Sequence, residues 1–129
     1  MLKAQAIAES LLKPDVESPV HAKGIAQFLQ ATFDEWAKKC NIENPDIYNP
    51  EHNIHCQAAY MAWLLKHYNN VEELALAAYN WGVGNVQKHI FPENEAGYEY
   101  KKLDFYNNIE KFPKETRNYV GKIFNIMLA

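Results

Sequence analysis

A chain of 129 residues with 48 % hydrophobic and 22 % charged residues is long enough to bury a core of its own as one domain, residues 1–129, and too apolar to stay disordered. Its formal net charge is −3, and its lysines pair only at Lys38–Lys39 and Lys101–Lys102, which argues against a phosphate-binding surface as the main function, so no nucleic-acid partner is expected. Lys3, Gln5 and Glu9 interrupt any leader-type apolar core, and no run approaches the roughly 20 apolar residues of a membrane span, so no membrane insertion is expected.

The predicted elements are helical. Ala4, Ile7, Ala8, Leu11 and Leu12 follow the i, i+3, i+4, i+7, i+8 spacing of an amphipathic helix, which puts Glu9 at the edge of the apolar face with its carboxylate half sheltered. Pro14 lacks an N–H and its ring clashes with the preceding turn, so this helix ends within about two residues of Leu12. A polar loop follows from Asp15 to Lys23. Gly24 then permits a turn, and Ile25, Phe28, Leu29, Phe33 and Trp36 begin a second stripe that runs out near Lys39. Helix, loop and helix are expected to wall one side of a cleft, with Gln27 returning towards Glu9.

Asn41 to Asn49, with Pro45, reads as a connecting loop. Asn49-Pro50 is a helix start, since Asn caps free N–H groups and Pro at the first position gives up a donor that has no partner anyway. Ala58 to Leu65 is apolar on every side, the pattern of a central buried helix, which ends at Tyr68-Asn69-Asn70. Asn70 and Glu73 are spaced as a capping box. Val71, Leu74, Ala75, Ala78 and Tyr79 form a stripe that stops at Gly82, where Gly82 and Gly84 allow a sharp turn. Residues 89–112 carry Pro92, Gly97 and the rings of Phe91, Tyr98, Tyr100, Phe105, Tyr106 and Phe112, either as short helices packed on the core or as a cleft-lining segment. Pro113 opens a last helix with the stripe Thr116, Tyr119, Val120, Ile123, Phe124 and Met127. No alternating strand pattern appears, and the fold class is all-α with about seven helices.

Cys40 and Cys56 do not make a disulfide framework and are expected as buried free thiols. His52, His55 and Cys56 match no common zinc spacing, so no metal is assigned, and no cofactor either. The chain is expected to be a monomer.

Four pieces, in this order, resemble the signature of the lysozyme-like soluble lytic transglycosylases, a family related to the goose-type lysozymes. They are Glu9-Ser10, followed by Ser18-Pro19 and A-K-G-I-A-Q at Ala22 to Gln27; N-I-x-x-x-x-x-Y at Asn53 to Tyr60; A-Y-N-x-G-x-G-x-V at Ala78 to Val86; and E-T-R-x-Y-V at Glu115 to Val120. The sequence departs from the family pattern at Ala26, where Met is usual, Gln57, where Gly is usual, Trp81, where Ala is common, and His21, where Gly is common. These departures bear on substrate fit more than on fold.

The resemblance implies a lysozyme-like helical domain with a substrate cleft. It also implies cleavage of the β-1,4 bond between N-acetylmuramic acid and N-acetylglucosamine in peptidoglycan glycan strands. In this family a single Glu, matched by Glu9, protonates the linking oxygen and then takes the proton of the muramoyl 6-hydroxyl as that oxygen attacks C1. The product is a 1,6-anhydro sugar end. Ser18, Gln27, Tyr79, Asn80, Glu115 and Tyr119 match the family's substrate-binding positions, and the rings of residues 89–112 could stack on sugar faces. Without the resemblance, Glu9 reads as a solvated helix carboxylate, Ser18 as a loop cap, Tyr79 and Tyr119 as core rings, and Glu115 as a first-turn carboxylate favoured by the helix dipole.

Asp15, Glu17, Asp34 and Glu35 lie near Glu9 in sequence, and a second catalytic carboxylate among them would turn the reaction into the hydrolysis of a goose-type lysozyme. A third reading is a non-catalytic wall-binding or structural virion module. With no leader, the chain is expected to reach the wall from a virion, through a holin-type hole, or as a domain of a larger exported protein. Unpaired thiols suit synthesis in a reducing cytoplasm, as for a bacteriophage endolysin.

Overall fold

The computed structural model describes residues 1–19 and 22–128, and among these the structure is helical. Seven α-helices and one 3-10 turn follow one another, and strand pairing is limited to isolated bridges joining Glu17 to Lys23 and Lys23 to Phe28. The all-α class is thus as expected. Contacts divide the chain into two compact units, one formed by Met1–Tyr60 with Ile126–Ala129 and the other by Met61–Asn125. Among the described residues no helix is long and apolar enough to cross a membrane.

The first unit holds α1 (Leu2–Ser10) and α2 (Gln30–Lys39), and α3 (Pro50–His67) begins in it. The apolar face expected for α1 is corrected. Ala4, Gln5, Ala6 and Ser10 are buried, Ile7 and Ala8 only half-buried, and Leu11 and Leu12 are 67 % and 41 % exposed. The helix stops at Ser10 because Leu11 and Leu12 both turn left-handed, at φ 55° and 62°, so the helical period never reaches them. Gln5 is tolerated inside because its amide oxygen accepts the side-chain N–H of Gln57 at 2.9 Å.

Gly24 turns as expected, at φ 82°, but the second helix starts later than its apolar stripe. Residues 24–27 form a compact turn, Ile25 and Phe28 are buried on it, and α2 begins only at Gln30, after Leu29, which is 51 % exposed. The Asn49-Pro50 start is borne out, with the Asn49 carboxamide oxygen accepting the N–H groups of Glu51 and His52 at 2.9 and 3.2 Å.

The central buried helix is not where the apolar run put it. Along α3 only Asn53, Cys56, Gln57, Met61 and Leu64 are buried, while Ala62 is exposed and Trp63 is 42 % exposed. Trp63 covers one of its faces by stacking on His67. The helix buried at six successive positions is instead α4 (Glu72–Trp81) of the second unit, from Glu73 to Ala78. Its alanines at 75, 77 and 78 let neighbours approach on every side.

The second unit continues with α5 (Val83–His89), α6 (Lys102–Tyr106), the 3-10 turn Ile109–Lys111 and α7 (Lys114–Leu128). The capping box at Asn70 does not form. Val71 is the N-cap of α4, Asn69 and Asn70 are left-handed, and Asn69 caps elsewhere, accepting the N–H of Tyr100. Glu73 is buried instead, with Lys102 Nζ at 3.7 Å. The Tyr106 hydroxyl is pushed up in pKa by partial burial first and then by its hydrogen bond to Glu73. These contacts join α6 to α4. Gly82 makes the expected turn, at φ 97°, whereas Gly84 lies inside α5. Of the six rings in residues 89–112, Phe91, Tyr100, Phe105 and Phe112 are buried, while Tyr98 and Tyr106 are exposed. Met127, expected on the buried stripe of α7, is 41 % exposed, because it lies on the last turn of that helix.

Gly121 sits in the middle of α7 with open space where a Cβ would project. Gly121→Ala is therefore expected to stabilise the fold by about 0.5–1 kcal/mol, by lowering the entropy of the unfolded chain without a clash. A denaturant titration checks this.

Cys40 and Cys56 are both free. Cys56 is buried as expected, while Cys40 is only half-buried. Burial first, and the neighbouring Cys40 second, push the Cys56 thiol up to about 11. At pH 8 its thiolate fraction is then roughly a hundredfold below that of an unperturbed thiol. A thiol reagent is expected to count Cys40 alone in the native protein and both cysteines after denaturation without reductant; two fast native thiols would contradict the burial of Cys56. The raised value also has a stability sign. The folded state favours the neutral thiol, so this contribution is complete below pH 9 and is lost as pH rises towards 11.

Candidate active site

Glu9 is the penultimate residue of α1 and half-buried, as its edge position on the helix predicts. What fixes it is the residue after it. The Ser10 hydroxyl donates to the carbonyl of Ile25 at 2.6 Å and lies 3.1 Å from that of Ala6. The N–H of Leu11 closes the helix on Ile7 at 2.9 Å. The helix that carries Glu9 is thereby pinned to the turn at residues 24–27.

That turn is held from three more directions. Asn53 on α3 is fully buried; its carboxamide oxygen accepts the N–H of Ala26 at 2.8 Å, and its nitrogen donates to the carbonyls of Ile47 at 2.7 Å and Lys23 at 3.3 Å. Gln27, left-handed at φ 54°, donates its side-chain N–H groups to the carbonyls of Gly24 at 2.8 Å and Val16 at 3.1 Å. Lys23 and Phe28 exchange backbone bonds at 2.7 and 2.9 Å. Glu9, Gln27 and the N-I motif therefore rest on one hydrogen-bonded framework. Ser18 is half-buried. It closes its loop on Ala22, its N–H donating to the Ala22 carbonyl at 2.9 Å and its hydroxyl oxygen accepting the Ala22 N–H at 3.1 Å. His21 lies outside the described residues.

Four predicted residues belong to the second unit. Tyr79 and Asn80 are half-buried on α4, Tyr119 is buried on α7, and Glu115 is exposed in the first turn of α7. Two motifs meet here: the Thr116 hydroxyl, 1 % exposed, donates to the Asn80 carboxamide oxygen at 2.8 Å. Glu115 takes no part in that contact. Trp81, the next residue, stacks on His89 with 5.4 Å between ring centroids.

Three residues that position this framework were present in the motifs but not singled out by the sequence: Ser10, Asn53 and Thr116. Each is a small polar side chain at a buried position next to a candidate functional residue or within a motif. Three of the four acids near Glu9 in sequence have partners on the surface. Glu17 accepts the Tyr48 hydroxyl at 3.1 Å, Asp34 accepts Gln30 at 2.8 Å, and Glu35 pairs with Lys39 at 2.8 Å. Among the described residues no group of three or more His, Cys, Asp or Glu side chains could hold a metal ion.

Comparison with known proteins gives the family and the fold. The Transglycosylase SLT domain family matches residues 1–102. Soluble lytic murein transglycosylases of Salmonella typhimurium and Escherichia coli are 34 % and 33 % identical over 93 % of this chain. Among solved structures, the 70 kDa soluble lytic transglycosylase of Escherichia coli superposes with a TM-score of 0.76 at 30 % identity. The lytic transglycosylase Slt of Pseudomonas aeruginosa, solved as an inactive glutamate-to-glutamine mutant, gives 0.77 at 27 % identity. Both cover 97 % of this chain and 20 % of their own, so the chain spans about a fifth of the length of these relatives. With a family match over most of its length and the helical architecture shared, the chain belongs to the Transglycosylase SLT domain family.

Proposed function

We propose that residues 1–129 act as one catalytic domain that cleaves the N-acetylmuramic acid–N-acetylglucosamine bond of peptidoglycan as a lytic transglycosylase, with Glu9 as its single acid and base. The observation that carries this is the setting of Glu9: half-buried, one residue from the end of α1, and fixed through Ser10 to the turn of the A-K-G-I-A-Q motif. The reaction must open with that carboxyl protonated.

In the first step the Glu9 carboxyl gives its proton to the bridging oxygen, the C1–O bond breaks, and the N-acetylglucosamine side leaves with its 4-hydroxyl restored. The carboxylate then removes the proton of the 6-hydroxyl while that oxygen closes on C1, which quenches the oxocarbenium-like centre and returns Glu9 to its acid form. No water is consumed. Ser18, Gln27, Tyr79, Asn80, Glu115 and Tyr119 are assigned as substrate contacts. Gln27 would act through its amide oxygen, since its nitrogen is committed to Gly24 and Val16. Asn80 would present its nitrogen, since its oxygen is held by Thr116.

Hydrolysis by two carboxylates is the less supported reading, because Glu17, Asp34 and Glu35 already have surface partners. Mass spectrometry of purified sacculi digested by the chain tests the proposal. Muropeptides lighter by one water than hydrolytic products are expected; ends that carry an added water would assign hydrolysis, and no released product would assign a binding module.

A further inference from the structure

The second unit carries a set of touching rings that the proposed reaction does not use. Trp63 and His67, one turn apart on α3, stack with 5.2 Å between centroids and 11° between planes. His67 meets Tyr68 edge-on at 4.7 Å and lies 6.2 Å from Tyr100. Tyr100 in turn receives Phe91 at 5.2 Å and Tyr98 at 4.9 Å, both edgewise. Tyr68, Phe91 and Tyr100 are buried, while Trp63, His67 and Tyr98 reach the surface. The surface rings are therefore rooted in packed ones and cannot easily collapse inward.

Tyr98 also walls a shallow groove of about 400 Å³, lined with it by Glu93, Asn94, Glu95, Ala96 and Gly97. The groove is built rather than slack. The Tyr98 hydroxyl lies 3.2 Å from both carboxylate oxygens of Asp104, and the Tyr98 N–H bonds the Glu95 carbonyl at 3.1 Å. On the other limb the Gln87 side chain donates to the carbonyls of Phe91 and Asn94 at 2.6 and 3.4 Å.

We propose that these rings and this groove form a second saccharide-binding surface, made of residues other than those assigned to cleavage, for an uncharged stretch of glycan. A sugar ring offers a face of C–H groups and a rim of hydroxyls. Flat ring faces accept the first, and carboxylate and amide oxygens such as those of Glu93, Asn94 and Glu95 accept hydrogens from the second. The two groove carboxylates repel anionic polymers. The groove itself, with Glu93, Asn94 and Glu95 among its six lining residues, lacks the large apolar patch on which a membrane or an apolar protein surface would dock. The choice of a glycan rests on the function proposed above, but the surface uses none of the residues assigned to cleavage and is tested separately. Its use would be to hold the domain on an insoluble strand between cleavages.

The test uses a soluble N-acetylglucosamine tetramer as probe and the Glu9→Gln chain, so that the probe is not consumed, followed by nitrogen-15 NMR. Graded shifts are expected at the Trp63 indole N–H and at the amides of residues 93–98. Trp63→Ala and Tyr98→Ala, each at an exposed position and so expected to remain folded, should weaken binding roughly fivefold to tenfold. In the chain that retains Glu9 the same two substitutions should lower binding to intact sacculi while cleavage of a short soluble strand is unchanged. Binding should extend to chitin, an uncharged N-acetylglucosamine polymer that carries no peptides. The proposal is overturned by shifts that are absent from these residues or undiminished in both substituted chains, and by failure to bind chitin while sacculi are bound, which would make this a peptide surface. Absence of cleavage by the unsubstituted chain would overturn the proposed function alone, since the NMR shifts do not depend on it.

Discussion

Glu9→Gln is expected to lower peptidoglycan cleavage by about 10²–10⁴-fold, the range contributed by a positioned acid–base group, with helical content unchanged. Glutamine fills nearly the same space, so the end of α1 and the Ser10 contact to Ile25 persist. What is lost is a proton that can be given and taken back. Turbidity clearance of a sacculus suspension reads the loss, and circular dichroism reads the fold. Clearance at the unsubstituted rate would mean that another group supplies the proton, and the assignment of Glu9 would fall. The inactive glutamate-to-glutamine mutant of the Pseudomonas aeruginosa relative shows that one such exchange is enough to disable that protein.

The largest stability effect is expected from Gly24→Ala. Gly24 is left-handed at φ 82°, a conformation that costs a residue with a Cβ about 1–2 kcal/mol. A Cβ there would also overlap the carboxamide of Asn53 and the carbonyl of Ile47. Relief requires Asn53 to move, which breaks its buried bonds to Ala26 and Ile47, and each group left unsatisfied costs about 1–3 kcal/mol. Together these give a loss of about 3–5 kcal/mol, a fall in Tm of roughly 10–20 °C for a chain of this size. Thermal unfolding followed by circular dichroism decides it. A fall of only a few degrees would mean that Asn53 is not held as tightly as its three hydrogen bonds indicate. Gly121→Ala, the same change in open space, is expected to move Tm the other way.

Signals carried by adjacent residues were legible in the sequence. Asn49-Pro50 started α3, Gly82 stopped α4, and Pro113 preceded α7, because a cap, a left-handed glycine and a missing donor act on their nearest neighbours. Signals that depend on distant partners were not. Nothing in two leucines announces a left-handed pair at the end of α1, and Pro14 comes too late to mark it. Apolar runs mislocated the buried helix because burial is decided by what packs against a run. The small residues of α4 admit neighbours that the larger ones of α3 do not. The candidate site was legible as motifs, but the reason for each motif was not. Asn53 reaches residues 27 and 30 positions earlier in the chain, and Thr116 reaches Asn80 across 36; such pairings leave no periodic trace.

The hydrogen bonds of Ser10, Asn53, Gln27 and Thr116 all end on backbone carbonyls, on a backbone N–H or on another framework side chain. Purifying selection on folding alone would keep them in a descendant that had stopped cutting glycan. Retention of the serine, the glycine turn, the N-I pair and the threonine is therefore a record of foldedness, and under the proposed function the chemistry is to be traced at Glu9 and at the residues assigned to the substrate.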